Sequence, residues 1–380
     1  MVESSDTSAY SLGLMLGGGG ARAAYQVGVL QAIARQHPQL RIPILTGVSA
    51  GAINIAHLAS FEGELSASVD VLTKLWGDLK LENVFRTGGC SLLWRAMKVG
   101  MKLSVGLPPF FGPVHGMVDT EPLREYLHGA LKTSDGVLLG IDQNIASGRI
   151  QGVALTANSY ETGSTVVFFR GHEIEAWERP NRKSIETRLT VEHIMASSAL
   201  PLLFPPIRVG DRWYGDGGVR LSAPLGPAVH MGADRLLVIS THFRGATAAP
   251  ASMPEPPSPA TVLAAMYNAL FLDQLDQDVH QMNRTNHLVQ HVSEEHRHGL
   301  REVDLLVLQP SEDIGAIAFE LKDHVPPTFR YLLNRLGSGQ SSSEDLLSTM
   351  LFHPDYIHRL IEIGQRDGQR QADRIAQFLA

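Results

Sequence analysis

Residues 11–36 read SLGLMLGGGGARAAYQVGVLQAIARQ, and residues 41–59 read RIPILTGVSAGAINIAHLA. In both stretches a short apolar run, typical of a buried strand, stops at glycine. A segment with the spacing of a packed helix follows each glycine turn. Strand and helix therefore alternate, and this alternation predicts a parallel sheet that is covered by helices.

The rest of the chain continues with further strands and helices. Apolar runs predict strands at residues 153–158, 165–169, 236–240 and 303–308. Helical patterns predict helices at residues 64–79, 190–199 and 260–289 and from residue 326 to the carboxyl terminus. Residues 245–259 hold five prolines, which indicates a loop.

Composition excludes several classes of protein. Hydrophobic residues make up 44% of the 380 residues and charged residues 19%, which is enough apolar surface for a large core and argues against disorder. The single cysteine, Cys90, cannot form an internal disulfide, so a disulfide-stapled secreted scaffold is excluded. The 32 basic and 39 acidic side chains give a net charge of −7, which argues against a nucleic-acid partner. No basic signal sequence precedes residue 11, and we expect a cytoplasmic protein.

Residues 42–61 form a stretch of twenty residues without Asp, Glu, Lys or Arg. By length alone it could span a membrane. A lipid-facing helix would carry Pro43, Asn54 and His57 at a cost, however. We therefore interpret the stretch as a buried strand, a tight turn and the helix behind it.

The turn in this stretch, Gly47-Val48-Ser49-Ala50-Gly51, matches the pattern G-x-S-x-G of a nucleophile elbow. The string alone is weak evidence in a chain rich in glycine and serine. Its position between a strand and a helix is what the motif requires, since small flanking residues let the helix start approach the strand. Ser49 is therefore a candidate nucleophile, and an ordinary glycine-rich turn is the alternative.

The upstream loop, residues 17–23, also lies between a strand and a helix. A dinucleotide fingerprint would need a third glycine where Ala23 stands and an acid about 20 residues farther on, and no acid lies between Asp6 and Glu62. A phosphate loop would need the sequence G-K-[ST], which is absent. The remaining ligand-binding interpretation is an oxyanion hole, in which consecutive N–H groups stabilise a developing alkoxide. A glycine-rich turn that binds nothing remains the alternative.

Asp216 is the candidate base. It precedes Gly217 and Gly218 directly after an apolar segment, and these glycines permit close approach of another loop. A β-turn with Asp in its usual place is the alternative. None of the sixteen histidines lies in a distinctive turn, so a dyad of Ser49 and Asp216 is the economical prediction, with burial increasing the basicity of the carboxylate.

Together these motifs resemble the patatin-like phospholipase family, particularly its bacterial cytoplasmic members. The resemblance rests on three motifs in order: Gly18-Gly19-Gly20-Ala21-Arg22, Gly47-Val48-Ser49-Ala50-Gly51 and Asp216-Gly217-Gly218. Segments 116–123, 196–206, 345–348 and 360–364 also look similar to the family. One departure is Ala23, which stands where the family usually has glycine; we expect it to be tolerated at a helix start.

The resemblance implies an α/β fold of three layers, α/β/α, with a mostly parallel central sheet. Residues 8–310 would form the acyl hydrolase domain and residues 311–380 a helical extension packed on it. It also implies a serine acyl-ester hydrolase that acts on phospholipids or lysophospholipids without a metal or an organic cofactor.

The residues that carry the reaction follow from the same resemblance. Ser49 and Asp216 would be catalytic. The oxyanion loop would comprise Gly18, Gly19, Gly20 and Arg22, and support would come from Gly47, Gly51, Gly217 and Gly218. Two alternatives stay open: an ordinary α/β-hydrolase with a Ser-Asp-His triad, and a catalytically weak lipid-binding or scaffold protein.

Residues 83–118 contain no acid before Asp119 and mix four cations with Trp94, Phe110 and Phe111. This composition is typical of an amphipathic segment that contacts an anionic lipid surface. It predicts peripheral contact with the inner face of the membrane. The alternative is an insertion that packs on the core with its cations in solvent. The sequence does not indicate an oligomeric state.

Overall fold

The computed structural model describes residues 11–86, 116, 118–245, 273–321 and 347–380. Its described residues form one ten-stranded sheet with helices on both sides. The strands are β1 Leu12–Leu16, β2 Ile44–Val48, β3 Gly152–Ser159, β4 Thr165–Gly171, β5 Glu178–Arg179, β6 Arg182–Glu186, β7 Ile207–Val209, β8 Arg212–Asp216, β9 Arg235–Ile239 and β10 Asp304–Leu308.

The sheet is mostly parallel at its centre. Its order is β10-β9-β1-β2-β3-β4-β6-β5, and the first five of these strands run parallel. Antiparallel pairs join β3 to β4 and β5 to β6, and a short hairpin of β7 and β8 pairs with β3. The predicted α/β class with a mostly parallel sheet is confirmed.

Helices cover the sheet on two faces. They are α1 Ala24–Gln36, α2 Ala50–Ser60, α3 Leu65–Gly77, α4 Leu81–Val84, α5 Glu121–Ala130, α6 Leu139–Ala146, α7 Val191–Ser197, α8 Gly226–His230, α9 Asp273–Gln290, α10 Ile314–Glu320, α11 Pro354–Arg370 and α12 Ala372–Leu379. Leu14 and Leu16 of β1 face the cluster that includes α1, α2 and α11, whereas Met15 faces the cluster that includes α8. This alternation along a strand produces the three layers.

Most observed strands and helices begin and end close to the predicted residues. The strand expected to begin at residue 41 begins at Ile44, directly after Pro43, which lacks the N–H that a ladder position requires. The predicted helix at 260–289 is described only from Asp273, and the last predicted helical region only from residue 347. Residues 246–259 of the predicted proline loop lie outside the described residues.

The carboxyl-terminal helices share a core with the amino-terminal ones. A Cβ on Gly28 of α1 would lie 2.1 Å from the carbonyl oxygen of Ile361 in α11, so only glycine permits this contact. The Tyr25 hydroxyl donates to Asp367 Oδ2 at 3.2 Å. The division at residue 310 stays a prediction, and α11 beyond it packs directly on α1.

The uncharged stretch 42–61 consists of β2, the turn at Ser49 and α2, as the sequence predicts. Its strand is buried along its whole length. Within the described part of the chain, none of the helices has the length and apolarity that crossing a membrane requires.

Candidate active site

Two strands meet end to end at the candidate site. Strand β4 pairs with β3 along nearly its whole length and occupies one of its edges. On the other edge, β2 pairs with β3 up to Val48 opposite Thr156, and β8 pairs from Asp216 opposite Ala157. Since β2 and β8 run in opposite directions on this shared edge, Ser49, which follows β2, meets Asp216, which ends β8.

Ser49 has an unusual backbone conformation, with φ of 55° and ψ of −130°. Positive φ is uncommon for a residue with a Cβ, and such strain clusters at functional sites. Helix α2 begins at the next residue, so its unsatisfied amino-terminal N–H groups lie beside the serine. The predicted sharp turn between strand and helix is therefore present.

The glycines of the elbow permit close packing of three backbone segments. A Cβ on Gly51 would lie 2.2 Å from the carbonyl oxygen of Leu16, and one on Gly47 would lie 2.7 Å from the Gly51 oxygen. A Cβ on Gly18 would lie 2.9 Å from Ser49 Cβ. The glycine loop after β1 and the elbow after β2 are thus in direct contact.

Two serines outside the predicted site set hold the backbone of Ser49. Ser197 Oγ accepts from Ser49 N at 3.0 Å and donates to the Thr156 carbonyl at 2.6 Å. Ser198 Oγ donates to the Ser49 carbonyl at 3.0 Å. Ser197 ends helix α7, and Ser198 directly follows it. The segment was noted in the sequence only for its resemblance, since two adjacent serines carry no signal of this role.

The glycine loop presents backbone donors beside Ser49. In the described part of the chain, the N–H groups of Gly18 and Gly19 donate to no protein acceptor. Thr241, which follows β9, donates from Oγ1 to the Gly18 carbonyl at 2.7 Å and so holds this loop. Gly19 and Gly20 have φ values of 145° and 57°. The loop can therefore serve as an oxyanion site.

Arg22 is directed toward the carboxyl-terminal part of the chain. Its guanidinium Nε donates to Ser348 Oγ at 2.6 Å, and the residue is 1% exposed. Ala23 has φ of −64° and ψ of −12°, which is the right-handed helical region that any residue adopts. A glycine is therefore not required at position 23, as expected.

Asp216 is fully buried, and its surroundings increase its basicity. Burial raises the pKa of the carboxyl group to about 7, although hydrogen bonding with the Ser49 hydroxyl and with the Gly218 N–H opposes the shift. Oδ1 accepts from Gly218 N at 2.8 Å. Oδ2 is buried and accepts no hydrogen bond of normal geometry from any group in the described residues. A Cβ on Gly217 would lie 2.1 Å from the Thr156 carbonyl oxygen, which explains the glycine there.

Three of the described histidines have partners other than Ser49 and Asp216. His57 Nε2 lies 3.0 Å from the Ser68 carbonyl oxygen, His193 Nδ1 lies 2.8 Å from Thr190 Oγ1, and His242 Nδ1 lies 3.4 Å from Asp276 Oδ2. Within the described ranges, no hydrogen bond joins a histidine to Ser49 or Asp216. A Ser-Asp-His triad therefore has no support in this part of the chain.

A buried apolar cavity leads away from Ser49. Along α2 it is lined by Ala50, Ile53 and His57, which lie on one face of the helix and reach about 12 Å from Ser49. Most of its other walls are apolar side chains: Leu72, Leu75, Trp76, Leu79, Val84, Leu123, Leu127, Leu131, Leu200, Phe204, Met350 and Phe352. The Trp76 indole N–H donates to Asn54 Oδ1 at 2.7 Å, so this polar atom is satisfied without water. The cavity thus places apolar walls next to Ser49.

Two further predictions concern metal binding and the segment 83–118. In the described residues no group of three or more His, Cys, Asp or Glu side chains could hold a metal ion. Of the segment 83–118, residues 87–115 and 117 lie outside the described residues. Val84, Phe85 and Val118 at its ends are buried, and Arg86 forms an ion pair with Asp119 at 3.5 Å.

Two solved structures are similar to this chain in part of their length. Human GIVD cytosolic phospholipase A2 is 13% identical with a TM-score of 0.49, and the match covers 98% of this chain and 60% of that one. VipD from Legionella pneumophila is 12% identical with a TM-score of 0.39, and the match covers 96% of this chain and 67% of that one. The chain thus spans about two thirds or less of these structures. Among curated protein sequences, none matches it significantly.

The family assignment comes from the sequence itself. The family model for patatin-like phospholipase matches residues 14–229, which is more than half of the chain and includes Ser49 and Asp216. The predicted class of enzyme, a lipid acyl hydrolase, agrees with this match. The chain belongs to the patatin-like phospholipase family.

Proposed function

We propose that this protein hydrolyses acyl esters of phospholipids or lysophospholipids through a dyad of Ser49 and Asp216. The observation that carries the proposal is the contact of Ser49, which lines an apolar cavity, with the buried Asp216 carboxyl, whose pKa is raised. Family membership supports the lipid substrate.

In the first half of the reaction, Asp216 takes the proton of the Ser49 hydroxyl while Oγ bonds to the ester carbonyl carbon. The N–H groups of Gly18 and Gly19 donate to the resulting oxyanion. The bond to the leaving alcohol then breaks, and the proton on Asp216 passes to that alcohol. An acyl group remains on Ser49.

In the second half, Asp216 takes a proton from water, and the hydroxide attacks the acyl carbon. The bond between Oγ and the acyl group breaks, the proton returns to Ser49, and the fatty acid leaves. A pKa of about 7 suits both steps, because the group must accept a proton and release it at the same working pH.

The cavity supports a hydrocarbon substrate rather than a polar one. Burying an acyl chain against its walls gains the free energy of removing apolar surface from water, whereas a polar group there would lose hydrogen bonds to water. The raised pKa of the buried Asp216 carboxyl beside Ser49 favours a catalytic role over a scaffold.

Hydrolysis of a short-chain nitrophenyl ester tests the proposal. Wild type should turn over, and Ser49→Ala should reduce turnover to background. Ser60→Ala is the matched control, because Ser60 ends the same helix, donates to the Ala56 carbonyl and lies outside the site. Equal rates for wild type and Ser49→Ala would refute the dyad.

A product assay on mixed phospholipids and lysophospholipids then identifies the substrate. Release of free fatty acid together with a lysophospholipid indicates attack on a diacyl lipid. Release of fatty acid from the lysophospholipid alone indicates the monoacyl substrate. Release of no fatty acid from either lipid, with the nitrophenyl ester still hydrolysed, would contradict the lipid substrate.

The membrane contact through residues 83–118 stays a prediction. It is tested by flotation with anionic liposomes, using a variant with Arg95, Lys98 and Lys102 changed to Glu. Loss of flotation is expected, since juxtaposed cations supply the attraction to anionic lipid. Unchanged flotation would contradict lipid docking by this segment.

A further inference from the structure

We infer that Ser348 is a positioning residue for the oxyanion loop, which it holds through Arg22. Residues 347–352 of the carboxyl-terminal region would then belong to the hydrolytic machinery. This inference rests on the proposed function. It assigns a role to a segment 299 residues beyond Ser49 that lies outside the family match, which ends at residue 229.

The contact between Arg22 and Ser348 is a buried, charge-assisted hydrogen bond. Arg22 Nε donates to Ser348 Oγ at 2.6 Å, and Ser348 is fully buried. Hydrogen bonds with one charged partner are shorter and stronger than neutral ones. Removing the hydroxyl takes away the acceptor that holds the Arg22 Nε donor in this buried position, which favours a shift of the guanidinium.

A shift of Arg22 reaches the loop through short connections. Arg22 N donates to the Gly19 carbonyl at 3.1 Å, which closes the turn that begins the 3-10 helix Gly20–Ala23. The same turn carries the Gly18 and Gly19 donors beside Ser49. Small displacements matter here, because an oxyanion donor is effective only at hydrogen-bond distance from the developing charge.

The carboxyl-terminal segment also touches the loop directly. A Cβ on Gly20 would lie 2.1 Å from the Thr349 carbonyl oxygen, so the two backbones are in close contact. Thr349 and Met350 line the apolar cavity together with Ser49. The segment therefore lies against the oxyanion loop on one side and the cavity for the acyl chain on the other.

A second hydrogen bond of the same region provides a matched control. The Tyr356 hydroxyl donates to the Ile314 carbonyl at 2.9 Å, and Tyr356 is fully buried. It joins two carboxyl-terminal helices and does not line the cavity. Tyr356→Phe removes this buried hydrogen bond, whose acceptor, Ile314, lies outside the glycine loop.

The test compares kcat, KM and Tm for these two variants with an ester substrate. Ser348→Ala should lower kcat about tenfold or more, with KM within about twofold of wild type, since the loop acts on the transition state. The rate at which a fluorophosphonate modifies Ser49 should fall in parallel. Tyr356→Phe should lower Tm by a similar amount and leave kcat unchanged. Should Ser348→Ala fail to fold, Ser348→Cys, of similar volume, takes its place.

Arg22→Lys completes a double-mutant cycle. It removes the Nε donor and keeps the positive charge, so the double variant should lose no more kcat than Arg22→Lys alone. If the double variant lost the product of the two single-variant reductions in kcat, the inference would be overturned. A kcat for Ser348→Ala within twofold of wild type would also overturn it. Absence of turnover in wild type would instead refute the proposed function, so the two failures are distinguishable.

Discussion

Two buried aspartates hold different positions in this molecule. Asp216 at the sheet edge is fully buried, accepts one backbone N–H, and has an oxygen without a hydrogen bond of normal geometry in the described residues. Asp367 in α11 is 3% exposed and accepts from both the Tyr25 hydroxyl and Ser311 N. Burial raises the pKa of Tyr25, and the charge of Asp367 raises it further.

Under the proposed function, the difference separates a carboxylate that acts as a base from one that joins structural elements. A buried carboxylate that accepts hydrogen bonds joins the elements that donate them. Asp367 joins α1, α11 and the segment before α10 in this way. A carboxylate that is buried without enough donors keeps a high affinity for a proton, which is the property that a general base needs.

Replacement of each aspartate by asparagine gives the largest contrast. Asp216→Asn should lower kcat by about 10⁴-fold, because an amide cannot accept the Ser49 proton. Asp367→Asn should keep kcat within about twofold. Ester hydrolysis with the folded variants measures both. Comparable activity of Asp216→Asn and wild type would remove the distinction between the two residues.

The pH profile sharpens the same comparison. Below pH 7 the Asp216 carboxyl is mostly protonated and cannot act as a base, so kcat/KM should fall about tenfold per pH unit on the acid side and level off above pH 7. Asp367→Asn should have the same profile as wild type. A profile without an inflection between pH 6 and pH 8 would contradict Asp216 as the base.

The free energy of unfolding should depend on Asp367. Asp367→Asn weakens the hydrogen bonds from Tyr25 and Ser311 N, and it should lower the free energy of unfolding by about 1–3 kcal/mol. Urea unfolding measures this change, with the exposed Asp211 changed to Asn as the control. An unfolding free energy equal to that of wild type would show that Asp367 does not join the carboxyl-terminal helices to α1.

The smallest expected effect concerns a histidine. His242→Gln should change kcat/KM by less than about twofold, since His242 pairs with Asp276 and not with Asp216. Steady-state hydrolysis measures it. Loss of turnover in a folded His242→Gln variant would favour the triad over the dyad.

The sequence by itself determined the motifs and their setting. Alternating apolar runs and glycine turns predicted the parallel sheet, and G-x-S-x-G between a strand and a helix predicted the turn at Ser49. Both follow from local constraints: a strand before the turn, a helix after it, and glycines where another backbone approaches. Gly217, which follows Asp216, is another glycine at a point where a second backbone segment approaches.

Only the tertiary structure decided which residues meet. Asp216 reaches Ser49 because β2 and β8 share one edge of β3. The register of strands that are distant in the chain cannot be read from sequence spacing. Ser197, Ser198 and Thr241 hold the Ser49 turn and the glycine loop from distant parts of the chain, and Ser348 accepts from Arg22. A serine or threonine hydroxyl has the same local pattern whether it supports a site or faces solvent, so its role depends on long-range packing that the sequence does not display.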